Sequence, residues 1–184
     1  LADFETARKN SGQGFNYLLG DLAELDLALQ RFGVDFLLKR GFKLILPPLM
    51  LNKKTLGSTI TFQDFADTIY KIDKEDLYLI GTGEHPLVSL YKDKVFDKKD
   101  LPLKICTITP CFRKEIGSRG VDTKGLFRVH QFYKVEQVVI SDQNSSYKLL
   151  EEMEAITEEF FKELEIPFRV VEICSGDMGG KQTK

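Results

Sequence analysis

Phe112-Arg113-Lys114-Glu115 and, past a glycine-bearing loop, Phe127-Arg128-Val129-His130-Gln131-Phe132-Tyr133-Lys134-Val135-Glu136 decide how this chain reads. Side chains alternate faces along a strand. On the second run Arg128, His130, Phe132, Lys134 and Glu136 therefore share a face, and Val129, Gln131, Tyr133 and Val135 share the other. On the first run Arg113 and Glu115 fall on one side. A purely structural sheet sorts apolar residues to one side and loose charges to the other. Here one face offers two arginines, two carboxylates and a single aromatic ring. Arginine makes bidentate bonds to phosphate or carboxylate, a ring provides a stacking surface, and a carboxylate receives an amino group. The pattern fits a solvated face, and it also fits a site for an anionic ligand with a flat ring and an amine. The loop between the runs carries Gly117, Gly120 and Gly125 with Arg119 and Lys124. That composition suits closure over phosphates or plain surface.

Outward from this hairpin the pattern is α+β. Leu103 to Thr109 reads as a strand broken by Pro110, Cys111 to Ile116 as another, and Leu126 to Ile140 as a long one. Residues 21–40 read as a helix with Asp21 at the N-cap, Glu24 completing a capping box and Gly41 as the stop. Leu22, Leu25, Leu29, Phe32 and Phe36 recur at helical spacing, a stripe that faces the core or a second subunit. Lys43 to Met50 reads as a strand run into Pro47-Pro48, which marks a strand end or an edge. Residues 52–76 read as a polar connection with an aromatic patch at Phe62, Phe65 and Tyr70. Leu77 to Ile80 is a strand ending at Gly81-Thr82-Gly83-Glu84, followed by a short helix with Pro86 in its first turn. Residues 92–100 read as a solvated loop. Residues 146–165 form a second helix, with Leu149, Met153, Ile156, Phe160 and Leu164 on one side and an acidic run on its wet face. Phe168 to Ile173 reads as a strand and Ser175 to Gly180 as a turn-rich tail. Residues 1–19 read as an arm packed on the main body. Hairpin-joined strands outnumber helices without strand–helix alternation, so the fold expected is α+β with an antiparallel sheet flanked by helices.

The chain has 184 residues, 26 basic and 28 acidic side chains and a formal charge of −2. That balance excludes a chain held on nucleic acid by bulk charge alone, though not a local phosphate site. Apolar residues at 42% and charged residues at 29% are a globular balance. No apolar run approaches the roughly 18 residues of a membrane span. The start, Leu1-Ala2-Asp3-Phe4, is neither a signal peptide nor an initiator methionine, so the chain reads as a segment of something longer. Three cysteines without regular spacing fit a reducing, cytoplasmic setting. Cys106, Cys111, Cys174 and His130 lack the paired short spacing of a zinc site, and no metal is expected there. No serine or cysteine stands as a nucleophile beside His85 or His130. His130 is expected to make a structural hydrogen bond, and Lys114 and Lys134 to be surface or supporting charges.

The run FRKEIGSRGVDTKGLFRVHQFYKVEQ, residues 112–137, resembles motif 2 of class II aminoacyl-tRNA synthetases, and more narrowly of the seryl-tRNA synthetase family. Phe42 to Met50 with Pro48 resembles motif 1, which ends in a proline at the dimer interface. Gly81-Thr82-Gly83-Glu84 resembles the serine-recognition loop, usually Thr-Ala-Glu. Gly83, standing where the family has alanine, is expected to make the pocket wall smaller or looser. Ser175-Gly176-Asp177-Met178-Gly179 resembles the Gly-Asp-Met-Gly turn, and Ser11 to Gly20 the lead-in to the catalytic domain. The resemblance thus makes residues 1–184 a partial catalytic domain, with a lead-in at 1–20 and the motif-1-like helix and strand at 21–50.

The resemblance implies roles at the matching positions. Arg113 holds the α-phosphate of ATP and the serine carboxylate. Glu115 meets the adenine amino group, Phe132 stacks on the adenine, and Arg128 lies near the terminal phosphates. Glu136 binds the serine ammonium, and Thr82 with Glu84 completes the amino-acid pocket. The reaction implied is attack of the serine carboxylate on the α-phosphorus with loss of pyrophosphate, then transfer of the seryl group to the 3′ end of tRNA(Ser) for protein biosynthesis. The partners implied are ATP with Mg²⁺ held outside this chain, L-serine, tRNA(Ser) and a second subunit in a homodimer. Motif 3, the acidic metal-binding segment and the tRNA-gripping coiled coil have no counterpart, so the chain alone is expected to be weakly active or inactive. A non-catalytic dimerising or nucleotide-binding module, and a ligase that loads an amino acid onto a carrier protein, remain the alternatives.

Overall fold

From the N-terminus the chain runs β1 (Ala2–Asp3), α1 (Phe4–Ser11), β2 (Tyr17–Leu18), α2 (Asp21–Leu38), β3 (Lys43–Leu44), β4 (Met50–Leu51), α3 (Lys53–Thr59), β5 (Tyr78–Leu79), α4 (Glu84–Ser89), β6 (Leu103–Phe112), β7 (Gln131–Ile140) and α5 (Ser146–Glu163). Short 3₁₀ turns occupy Lys98–Asp100 and Ser175–Asp177. The structure is a computed structural model and describes residues 1–60, 67–115 and 125–178. Phe62, Phe65, the loop glycines Gly117 and Gly120 with Arg119 and Lys124, and the end of the tail from Gly179 lie outside the described residues. Two compact units are present, Leu1–Asp142 and Gln143–Lys184.

In the first unit the centre is a three-stranded sheet of order β3-β6-β7. β6 and β7 pair antiparallel from Leu103 opposite Ile140 to Phe112 opposite Gln131. β3 joins parallel, Lys43 against Ile105 and Leu44 against Cys106. The α+β class expected from the sequence is what is found, with one pairing parallel. Helix α2 packs on the face that carries Val135; a β-carbon at Gly33 would stand 3.2 Å from that valine. The loop before α4 and α4 itself cover the other face, where Ile105, Thr107, Thr109 and Cys111 are buried. A satellite core of Leu51, Leu56, Ile69, Tyr78 and Ile80 holds β4, α3 and β5 together.

Pro110 does not break β6. The Phe112 N–H donates to Ile80 O, and the Ile45 N–H reaches Cys106 O. The even-numbered residues of β6 thus turn their backbone away from β7. The missing N–H of Pro110 points to the side on which β3 has already ended, so no ladder bond is lost. The strand expected over Lys43 to Met50 is instead two short pieces separated by Pro47-Pro48. The long strand expected from Leu126 starts only at Gln131, after bends that begin at Gly125 with φ of 101°.

Two helices, α1 and α3, carry no apolar period and were not expected from the sequence. Asp3 caps α1 by accepting the Thr6 N–H at 2.9 Å, and Asn52 caps α3 by accepting the Thr55 N–H at 2.8 Å. The N-terminal arm does dock on the main body: the His130 N–H donates to Gly14 O, and Phe15 stacks on His130 at 5.1 Å. Helix α2 spans nearly its expected range, but Gly20 is its N-cap and no side-chain cap bond forms at Asp21. Its buried residues are Gly33, Val34, Phe36 and Leu37. Of the expected stripe only Phe36 is buried, while Leu25 and Leu29 are exposed. The buried part of α2 is its C-terminal half.

In the second unit α5 buries Leu149 and Ile156 and exposes Glu151, Glu152, Glu154 and Glu159. Phe168 to Ile173 forms no strand. β-propensity makes a strand only with a ladder partner, and none stands beside it among the described residues.

The two helical glycines test this packing. Gly33→Leu should overpack the α2–β7 contact and destabilise the chain by about 1–3 kcal/mol in urea unfolding. Gly57→Ala in α3, where a β-carbon meets nothing within 4 Å, should stabilise it by about 0.4–1 kcal/mol. A neutral Gly33→Leu would contradict the close approach.

Candidate functional site

Cross-strand neighbours share a sheet face, so the β6–β7 register places Thr107 with Glu136, Thr109 with Lys134, and Cys111 with Phe132. This is the face that the 81–84 loop covers. Its floor is dry: Thr107 and Cys111 are 0% exposed and Thr109 is 1% exposed. Burial pushes the Cys111 thiol up, against the Thr109 hydrogen bond and the Lys134 and Arg113 charges. Burial pushes the Cys106 thiol up as well. Both thiols are thereby kept protonated, unlike a reactive cysteine.

Above the floor the polar groups form two clusters. At the open end, Arg113 follows β6 directly. Its backbone N–H donates to His130 O at 2.9 Å and its Nε donates to Gly81 O at 3.0 Å. The guanidinium carbon lies 5.4 Å from the centre of the Phe132 ring, within cation–π range. Beside them Glu115, with a left-handed φ of 50°, accepts from Arg128 Nη1 at 2.8 Å. Four residues along β7, about 13 Å at strand rise, lies the second cluster. Thr82 Oγ1 donates to Glu136 Oε2 at 2.7 Å and accepts from Lys134 Nζ at 3.0 Å. Lys134 also pairs with Glu136. Thr82 is only 6% exposed, and its oxygen accepts the Glu84 N–H at 3.2 Å. A half-covered carboxylate carrying a hydroxyl donor and an ammonium is a receptor for cationic and hydroxyl groups.

The structure brings most of the expected residues together and differs from expectation at three, Arg128, Glu84 and Gly83. Arg128 precedes β7, so strand parity does not set its side; the ion pair with Glu115 holds it. Glu84 contributes its backbone N–H, and its exposed carboxylate makes no hydrogen bond or ion pair among the described residues. Of the two roles expected for Lys134, surface or supporting charge, the structure shows the supporting one: it is bonded to both Thr82 and Glu136. Its parity with Phe132 and Glu136 was the signal for that placement. Gly83 does not loosen the wall, because a β-carbon there would lie 2.5 Å from Thr107 Cγ2, whose methyl already fills the space. His130 makes the expected structural bond, its Nδ1 lying 2.8 Å from Tyr70 Oη.

With this geometry in hand, the likeness to known proteins is specific. A family model for the tRNA synthetase class II core domain (G, H, P, S and T) matches residues 68–184. The serine--tRNA ligase of Methanospirillum hungatei JF-1 is 53% identical over 97% of this chain, which spans 42% of that relative. The crystal structure of seryl-tRNA synthetase from Pyrococcus horikoshii complexed with ATP superposes with a TM-score of 0.93 at 51% identity, over 97% of this chain and 40% of that one. Cytoplasmic serine-tRNA ligase from Naegleria fowleri, solved with AMP, follows at 0.92 and 39% identity, over 96% of this chain and 42% of that one. The chain thus spans about two fifths of the length of the relatives it matches. A family model matched over well more than half the chain, ending beyond the paired strands that carry the site, shows that this chain belongs to the class II tRNA synthetase core family.

Proposed function

We propose that this chain carries the ATP- and serine-binding part of a site that activates L-serine for transfer to tRNA(Ser). One observation supports this above the rest. Arg113 is anchored at two points over the Phe132 ring, while its terminal nitrogens have no protein partner among the described residues. An arginine held by Nε presents its remaining fork to an anion, here beside a surface on which a base can stack. In this reading adenine stacks on Phe132, with its amino group at Glu115. Arg113 spans the α-phosphate and the serine carboxylate, and Arg128 faces the terminal phosphates. Glu136 takes the ammonium and Thr82 the side-chain hydroxyl, beside the Glu84 turn. The serine carboxylate attacks the α-phosphorus and the bond to pyrophosphate breaks. The residues position the two reactants and offset charge; no side chain acts as a nucleophile. The seryl group then passes to the 3′ end of tRNA(Ser). The ATP and AMP bound to the two solved relatives are consistent with this assignment.

Mg²⁺ belongs to this reading only as the companion of the ATP phosphates. No group of three or more His, Cys, Asp or Glu side chains among the described residues stands ready to hold a metal, and no step above runs through one. No helix among the described residues is long and apolar enough to cross a membrane. A cytoplasmic setting is part of the proposal.

The reading includes a homodimer. Leu25, Leu27 and Leu46 stand 63%, 64% and 74% exposed on and beyond α2. A cavity of about 440 Å³ that Leu25 lines is lined also by Phe15, Leu22, Leu29, Val129 and Tyr133. A second subunit over this region would bury at least the roughly 1,000 Å² of a biological contact. Light scattering at tens of micromolar should report the mass of two chains; a monomer would count against it.

Calorimetry with non-hydrolysable adenylate analogues tests the activity. The seryl analogue should bind, and Arg113→Ala should weaken it by on the order of tenfold to a hundredfold, since a hydrogen bond to a charged group contributes about 1.5–3 kcal/mol. A site built around a hydroxyl leaves polar groups unpaired when the hydroxyl is absent. The alanyl analogue should therefore be rejected more sharply than the threonyl one, whose extra methyl costs only about 1–3 kcal/mol. Equal binding of the seryl and alanyl analogues would withdraw serine.

A further inference from the structure

Gly83 is a glycine for reasons of space. Its φ of −65° and ψ of −18° suit any residue. A β-carbon there would stand 2.5 Å from Thr107 Cγ2, 3.1 Å from Thr109 Oγ1 and 3.6 Å from Glu136 Cβ. The nearest of these is a methyl on a residue that is 0% exposed and sits in the middle of β6, directly opposite Glu136. Such a methyl cannot swing into solvent. The Thr107 hydroxyl has no hydrogen-bond partner among the described residues, so the methyl, not the oxygen, carries the contact with the loop.

We infer that Thr107 is a positioning residue for the amino-acid subsite. Its γ-methyl, seated against Gly83, sets how deeply the 81–84 loop lies on the sheet, and so whether the Thr82 hydroxyl reaches Glu136. This rests on the function proposed above. The magnitudes make the link tight. Relieving a 2.5 Å contact to an ordinary carbon–carbon separation of about 3.5–4.0 Å requires movement on the order of 1 Å. The Thr82 to Glu136 bond is 2.7 Å long, and an added ångström takes it past the limit of a hydrogen bond, roughly 3.5 Å. Methyl at 107 with none at 83, or methyl at 83 with none at 107, are two packings of one volume. The same contact therefore predicts that the two positions are coupled.

The experiment is a double-mutant cycle on the full chain: Gly83→Ala, Thr107→Ser, which deletes only the methyl, and the pair together. Melting temperature, affinity for the seryl-adenylate analogue and affinity for ATP are read for each. Gly83→Ala should lower Tm by roughly 3–10 °C, as overpacking does. It should weaken the seryl analogue about tenfold or more, the loss of one good hydrogen bond, while ATP affinity stays within about threefold. The pair should regain Tm and analogue affinity to within about threefold of wild type. A general packing defect would weaken ATP and the analogue alike, and that result would overturn the positioning role. So would a Gly83→Ala chain that binds like wild type, or a pair no better than Gly83→Ala. If Gly83→Ala does not fold, the pair decides: folded and binding supports the inference, unfolded overturns it. A wild-type chain that binds ATP but no seryl analogue overturns the functional reading itself. Recovery of Tm in the pair would still separate that failure from a failure of the packing pair.

Discussion

Ten consecutive pairs, from Leu103 opposite Ile140 to Phe112 opposite Gln131, hold β6 against β7, and the rest of the molecule's first unit is arranged around them. A slip of one residue would send every side chain of a strand to the other face. Lys134, Phe132 and Glu136 would then lie under α2, and Val135 would lose its contact with Gly33. The pattern resists that slip on both sides. One face is keyed by a glycine in α2 against a valine. The other is keyed by a threonine methyl against a glycine in the 81–84 loop. Register, helix docking and loop height are therefore one constraint rather than three.

The same constraint explains why a polar site stands over a dry floor. Thr107, Thr109 and Cys111 fill the sheet beneath the loop with small, β-compatible side chains. Charged groups line the same face: Lys134 and Glu136 lie beneath the loop opposite Thr109 and Thr107, and Arg113 follows the end of β6. Partly covered carboxylates are held by named partners: Glu136 by Thr82 and Lys134, Glu115 by Arg128. Pairs of this kind are modest contributors to stability when exposed. Their effect here is orientation, since each carboxylate is held in one direction by its partners. In the function proposed above, preorganised groups of this sort would cost no rearrangement at the moment of reaction.

Much of this is legible in the residues. Alternation from Phe132 to Glu136 is strict, and by itself it puts Phe132, Lys134 and Glu136 on one face. Helix α2 is visible because five apolar residues repeat at its period. Other features are hidden for physical reasons. Helices α1 and α3 are short and polar, so no apolar period announces them; only the capping residues Asp3 and Asn52 do, and such residues also mark turns. Pro110 reads as a strand end because its tolerance depends on which side β3 occupies. Arg128 reads as a strand residue because the bends after Gly125 leave no period to follow. Val170, Val171 and Ile173 have the composition of a strand, without a ladder partner among the described residues. The Gly83–Thr107 contact joins residues far apart in the chain, and only the folded register brings them together.

In the function proposed above, the β6–β7 register builds one ligand face running from Arg113 and Phe132 to Lys134 and Glu136. The most direct measurement is a crystal structure of the chain with a non-hydrolysable seryl-adenylate analogue. The base should lie against the Phe132 ring, with Arg113 at the phosphate mimic and the amino group within hydrogen-bond distance of Glu136. An analogue bound on the α2 face, or bound with Phe132 and Glu136 both out of contact, would contradict it.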